Sequence, residues 1–266
     1  VTKADTLRLQ DARAAFRLLG ECRDLGNEPA LWHQHMFEGL SGLFGVTQAT
    51  GGEGWWHTPT APIRPVSAFG ASQDPVAHAL WLAYHRQHGT STDPFFRALH
   101  GRTDRLITRT RRDLVSDAEW YRSSSFNDFR RPARIAHELT SLFRVNAGGA
   151  ISVIALNRMT GERAFSGRER RLLDFFHLEL GRLIGGPLVS ATEPGLDGLS
   201  PRLRQTLACL LEGDSEKQVA SRLGLSRPTV HQYVTALYRH FGVASRAQLL
   251  AHVLGRRRGS GRASAE

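Results

Sequence analysis

Four helix-start signals fall within fifty residues near the C-terminal end of this 266-residue chain, and their spacing leaves that segment little choice of fold. Ser200 precedes Pro201, Ser215 stands three residues before Gln218, Ser226 precedes Pro228 by two, and Ser245 stands three before Gln248. A serine hydroxyl can accept from an orphan backbone N–H of the first helical turn, and proline there gives up nothing because its missing N–H has no partner in any case. Gly213, Gly224 and Gly242 supply the stops, since glycine adopts the left-handed turn that ends a helix without steric cost. Between these marks the apolar residues recur at helical spacing: Leu203, Leu207, Leu210 and Leu211; then Val219, Ala220 and Leu223; then Val230, Val234, Leu237 and Phe241; then Leu249, Leu250, Val253 and Leu254. The pattern predicts four short helices, the second and third joined by a glycine-containing turn. Such a pair is a helix-turn-helix, whose second helix fits a DNA major groove about 12 Å wide.

On that third helix Val230 and Val234 face inward, which turns His231, Gln232 and Thr235 outward near its start. Glutamine pairs bidentately with adenine, and histidine and threonine each make single hydrogen bonds, so these three are the expected base contacts. Ser226 and Thr229 sit where the helix dipole favours a phosphate, and Lys217, Arg227, Arg239 and Arg246 are expected to hold the DNA backbone. Charge agrees with this. Residues 196–266 hold eleven basic residues against five acidic ones, a net +6 out of +10 for the whole chain. Concentrated basicity suits phosphate neutralisation, although arginine makes up 33 of the 35 basic residues, as a GC-rich genome would also produce. The competing reading is an interaction adaptor whose basic helical module binds an acidic protein.

The segment resembles the LuxR-type (GerE-type) helix-turn-helix family. The likeness lies in Leu199-Ser200-Pro201-Arg202, Leu211-Glu212-Gly213, Lys217-Gln218-Val219-Ala220, Leu223-Gly224-Leu225-Ser226, Thr229-Val230, Phe241-Gly242-Val243 and Ser245-Arg246-Ala247. It covers roughly residues 196–255. The resemblance implies a transcriptional regulator whose third helix reads double-stranded DNA and whose fourth helix contributes to a homodimer. Leu203 stands where the family usually has an acidic residue, and His231 and Thr235 stand where it often has lysine, which alters the expected target sequence rather than the fold.

The rest of the chain reads as mixed α and β. Helical spacing marks residues 3–20 and 30–44, and Asp74 before Pro75 opens a helix through Trp81 and Tyr84 to a stop at Gly89. Leu106 to Thr110, Ser141 to Val145 and Ala150 to Leu156 are strand candidates. Met159 to Glu162 reads as a turn, and Ser166 with Glu169 as a capping box before a long helix with Leu172, Leu173, Phe176, Leu180 and Leu183 on one face. Asp117 to Arg134 and Phe165 to Arg170 give this part a diffuse resemblance to GAF-like sensor domains, which implies an antiparallel sheet flanked by helices. Trp55, Trp56, Trp120, Tyr121 and Phe126 are then candidates for lining an effector pocket, with core packing as the alternative. A phosphoacceptor receiver does not fit, because the only lysines are Lys3 and Lys217. The aromatic and aspartate pattern of acyl-homoserine-lactone sensors aligns poorly with Trp120, Tyr121 and Asp128.

The expected organisation is therefore a sensor domain over 1–186, a linker over 187–196, a DNA-binding domain over 197–255 and a disordered basic tail over 256–266. Nothing in the sequence assembles a catalytic set. His33 and His35 lie on different sides of one helix, His85 and His88 have no accompanying carboxylate motif, and His240 and His252 read as surface residues. Gly51-Gly52-Glu53-Gly54 lacks the lysine and helix context of a phosphate loop, and no serine or cysteine sits in a nucleophile elbow. Cys22 and Cys209 read as small core residues, which excludes a disulfide framework. No metal or cofactor and no enzymatic activity are expected. The charge-free stretch Val145 to Asn157 is too short to cross about 30 Å of hydrocarbon, and the early residues carry no apolar leader. A cytoplasmic location without membrane contact is the expectation.

Overall fold

The computed structural model describes residues 6–58, 63–87, 90, 92–192, 199–251 and 253. The expected stop at Gly89, His88, His252, the side chain of His85, linker residues 193–196 and the basic tail lie outside these. The chain divides into two compact units, one ending at Thr192 and one beginning at Glu193.

In the first unit, α1 (Leu9–Asp24) and α2 (Pro29–Phe44) precede β1 (Gln48–Trp55), β2 (Arg64–Pro65) and β3 (Phe69–Ser72). Next come α3 (Pro75–Gln87), α4 (Pro94–Arg97), β4 (Leu106–Thr110), α5 (Asp117–Arg122), β5 (Ile135–Arg144), β6 (Ala150–Met159) and α6 (Gly167–Leu183). A single antiparallel sheet has the order β2-β1-β6-β5-β4, with β3 paired to the same edge of β1 as β2. The expected antiparallel sheet flanked by helices is therefore present. Its central hairpin is β5 and β6, in register from Leu139 opposite Leu156 to Arg144 opposite Ile151. Alternation sends Leu139, Ile154 and Leu156 to one face, where α1, α2 and α6 cover them with Leu18, Phe37, Leu40 and Phe176. Leu142 and Ile151 go to the other face, under Trp56, Phe95, Leu99 and Trp120.

The predicted caps close as their chemistry requires. Asp74 accepts from the amides of Val76 and Ala77 at the start of α3, and Ser166 and Glu169 form the reciprocal box opening α6. Three strands were not expected, and β1 is the most consequential. Its glycines let neighbouring backbones approach: a Cβ on Gly51 would lie 1.9 Å from the Val153 carbonyl oxygen, and one on Gly52 would lie 2.2 Å from that of Ser67.

Residues 187–192 are not free linker. Leu188 is buried, Val189 donates its amide to Gly26, and its carbonyl accepts from the Trp32 indole at 3.0 Å. Ser190 donates to the Glu53 carboxylate and exchanges a 2.7 Å hydrogen bond with Thr192. The first unit thus holds the chain six residues past the expected boundary. Among the described residues no helix is long and apolar enough to cross a membrane.

Two buried histidines have a measurable consequence. His177 on α6 is fully buried between the hydroxyls of Ser141 (2.8 Å) and Ser152 (3.1 Å), and burial pushes its pKa down to about 3. His33 on α2 is likewise pushed down to about 3 by burial, against a 2.7 Å hydrogen bond to the Pro29 carbonyl. An unfolded histidine titrates near 6.5, so below that pH the unfolded chain binds more protons than the folded one. Stability contributed by the neutral rings is complete above about pH 6.5 and is lost as pH falls toward 3, at up to ~1.4 kcal/mol per pH unit for each ring. The melting temperature should fall between pH 6.5 and 5.5, above most carboxylate titration, and His177→Gln should flatten that fall. An equally steep fall in the variant would show that the ring is not responsible.

The second unit contains α7 (Pro201–Leu211), α8 (Glu216–Leu223) and α9 (Arg227–Phe241), with residues 246–251 forming α10. Leu207, Leu210, Val219, Val230, Val234, Leu237, Phe241 and Leu249 make one core. Ser200, Ser215 and Ser226 cap α7, α8 and α9, and Gly224 and Gly242 take the left-handed conformation at the ends of α8 and α9.

Candidate nucleic-acid interface and effector cavity

On α9 the burial pattern follows the helical repeat. Val230, Val234, Leu237 and Phe241 are at most 5% exposed. At about 100° per residue, His231, Gln232, Thr235 and Arg239 occupy a roughly 100°-wide arc on the opposite side, and all four are exposed. The structure therefore brings the three predicted base readers together on one outward strip.

The ring nitrogen Nδ1 of His231 lies 3.3 Å from the Glu216 carboxylate at the start of α8. That contact restrains the ring at the turn side of the strip and was not foreseen, because residues 15 apart give no sequence signal. Ser226 spends its oxygen on the Thr229 amide, and its hydroxyl pairs with that of Thr229 at 2.8 Å. Lys217, Arg227 and Arg239 are exposed. Arg246 is half-buried and donates to the Leu210 carbonyl at 3.1 Å, closing the C-terminal end of α7. Arg222 pairs with Glu212 and Asp214, so those two acids are neutralised within the unit.

In the first unit, the sheet face opposite α1, α2 and α6 encloses a cavity of two joined lobes, each about 50 Å³. Trp81, Phe96, Gly51 and Val153 line both lobes. One lobe runs along the β1 glycines to Ile63 and Ile151. The other carries Tyr84, Phe129, Thr50, Asn157 and a charged group of Asp93, Arg130 and Glu138. Arg130 lies 2.9 Å from Asp93 and 2.7 Å from Glu138, with all three side chains nearly sealed from solvent. Burial works against the charge on Arg130, but Asp93 and then Glu138 outweigh it and hold the guanidinium pKa above its ordinary value. Burial, followed by the charge of Asp93, raises the Tyr84 phenol.

The five aromatics expected to line a pocket lie elsewhere. Trp56 is in the core beneath Arg144, and Trp55 is half-buried and stacks on His57. Trp120 is buried with Arg130 and Arg111 over its ring, Tyr121 is 49% exposed, and Phe126 meets Tyr121 edge to face. Trp120, Tyr121 and Phe126 do come together, but against the arginines rather than around the cavity. The cavity residues Trp81 and Tyr84 share the α3 pattern, whereas Arg130, Glu138 and Asn157 read individually as surface residues.

A second helix with one face outward, set by a capped turn against a small helical core, defines the helix-turn-helix class. The profile of the family described as bacterial regulatory proteins, luxR family, matches residues 197–253, and the second unit is a LuxR-family domain. The probable transcriptional regulatory protein SgaR of Hyphomicrobium methylovorum is 41% identical over 56 residues, which are 21% of this chain and 26% of that protein. The match thus spans about a quarter of that relative. Over most of its length the chain is also similar to solved structures of SdiA. A crystal structure of Escherichia coli SdiA is 14% identical, covering 86% of this chain and 92% of that one with a TM-score of 0.43. SdiA in complex with octanoyl-rac-glycerol is 14% identical, covering 94% and 97% with a TM-score of 0.47.

Proposed function

We propose that the protein is a sequence-specific, DNA-binding transcriptional regulator that acts as a cytoplasmic homodimer. The observation that carries this reading is the strip on α9: His231, Gln232 and Thr235 face outward from a helix whose other side is the core. Gln232 reads an adenine edge, and His231 and Thr235 add single hydrogen bonds. Lys217, Arg227 and Arg239, with Ser226, Thr229 and Arg246 at the helix termini, hold phosphates and set the register. A dimer places two such strips on half-sites one helical turn apart. The cavity of the first unit takes a small-molecule effector, which shifts the balance between DNA-competent and incompetent arrangements.

Salt titration of duplex binding tests the central part. The four cations Lys217, Arg227, Arg239 and Arg246 give a slope of log K against log[salt] of about −3.6 per protomer. An absence of duplex binding even at low salt would overturn the reading in favour of a module that binds an acidic protein.

A further inference from the structure

We propose that the effector taken by this cavity is a small protonated amine. The inference rests on the effector reading above and adds the chemistry of the ligand.

Charge balance is the first argument. Asp93 accepts from the Phe95 amide (2.9 Å), the Ser125 hydroxyl (2.8 Å) and Arg130 (2.9 Å). Glu138 accepts from Arg130 twice (2.7 and 3.2 Å) and from the Thr140 hydroxyl (3.0 Å). Each of these acids thus receives three hydrogen bonds, and the two carboxylates share one guanidinium. Among the described residues lining the cavity Arg130 is the only cation, so its polar lobe carries one excess negative charge.

The second argument is independent of the acids. Thr50 and Asn157 line the same lobe and are at most 2% exposed. The Asn157 amide nitrogen donates to Gln48 at 3.1 Å, while its carbonyl oxygen Oδ1 and the Thr50 hydroxyl have no hydrogen-bond partner. Buried polar atoms of this kind mark the place of a missing partner. An ammonium supplies three donors, enough for Asn157 Oδ1, Thr50 Oγ1 and a carboxylate oxygen.

The walls are the third argument. Trp81, Tyr84, Phe96 and Phe129 present aromatic surface, and Tyr84 and Phe129 stack with ring centroids 5.4 Å apart. Aromatic faces attract cations, most strongly where water is excluded. A carboxylate or phosphate ligand would meet net like charge.

Three probes of one shape decide the sign: n-butylammonium chloride, n-butanol and sodium butyrate at pH 7 and matched ionic strength, with thermal melting of the full chain as the readout. The ammonium is expected to raise the melting temperature in a saturable way, since a ligand that binds only the folded state stabilises it by mass action. Butyrate is expected to have no effect. Glu138→Gln leaves Arg130 and Asp93 as a balanced pair and should weaken ammonium binding about tenfold or more. Equal or stronger stabilisation by butanol or butyrate would overturn the amine assignment and leave the effector cavity standing. No saturable effect from any of the three would overturn both. The wild-type comparison suffices even if the variant does not fold.

Discussion

Replacing Arg130 with methionine is expected to destabilise the first unit by ~3–5 kcal/mol, read as a lower urea midpoint at unchanged slope. The size follows from what the substitution leaves behind. Methionine fills most of the space, so cavity formation contributes little, but Asp93 and Glu138 remain at 2% and 7% exposure without their cation. Three of the six hydrogen bonds those carboxylates accept come from the guanidinium. Two carboxylates facing one buried lobe would then be left without a countercharge, which is the costly way to break a buried ion pair. Adding Glu138→Gln to the methionine variant should recover part of the loss. A loss below about 1 kcal/mol would mean that the guanidinium is not what holds these carboxylates, and the charge assignment in the cavity would be wrong.

The second unit could be read from sequence because its determinants are local. Ser215 and Gln218 find each other three residues apart, Gly224 ends the helix it follows, and Val230 and Val234 are turned inward by the helical repeat alone. The first unit was legible only where that holds, as at Asp74 before α3 and Ser166 before α6. β1 was missed because Gly51-Gly52-Glu53-Gly54 carries neither β-branched residues nor apolar alternation. It is a strand because β6 pairs along one edge and β2 and β3 along the other, and its glycines admit the close approach of Val153, Arg64 and Ser67. Its one charged residue, Glu53, is 2% exposed and lies 3.3 Å from His33, an arrangement with no signature within either segment. The cavity was misplaced for a related reason. Aromatic clusters in sequence pointed to residues 55–56 and 120–126, while the ring positions that enclose space come from three separate elements. Arg130 and Glu138 read as surface charges until the sheet places them together. The extent of the linker was misjudged because Trp32, 157 residues from Val189, holds that segment down.

Base reading and phosphate holding on α9 should separate cleanly by mutation. Gln232→Ala is expected to cost ~1–3 kcal/mol at one operator position and almost nothing on unrelated duplexes, because a bidentate side chain discriminates only where its base is present. Arg227→Ala should weaken binding to all sequences alike and reduce the salt slope by about 1, since one released counterion is lost. His231 gives the intermediate case. Its Nδ1 faces Glu216, so Nε2 is the atom left to meet a base, and Glu216→Ala should loosen the ring while also removing a negative charge near the DNA backbone. That variant should bind nonspecific duplex more tightly and discriminate operator bases less. Both traits trace to the same carboxylate, so they should appear together, measured as operator and nonspecific affinities at one salt concentration. Equal effects of Gln232→Ala and Arg227→Ala on all duplexes would show that the outward strip of α9 lies on the phosphates and not in the groove.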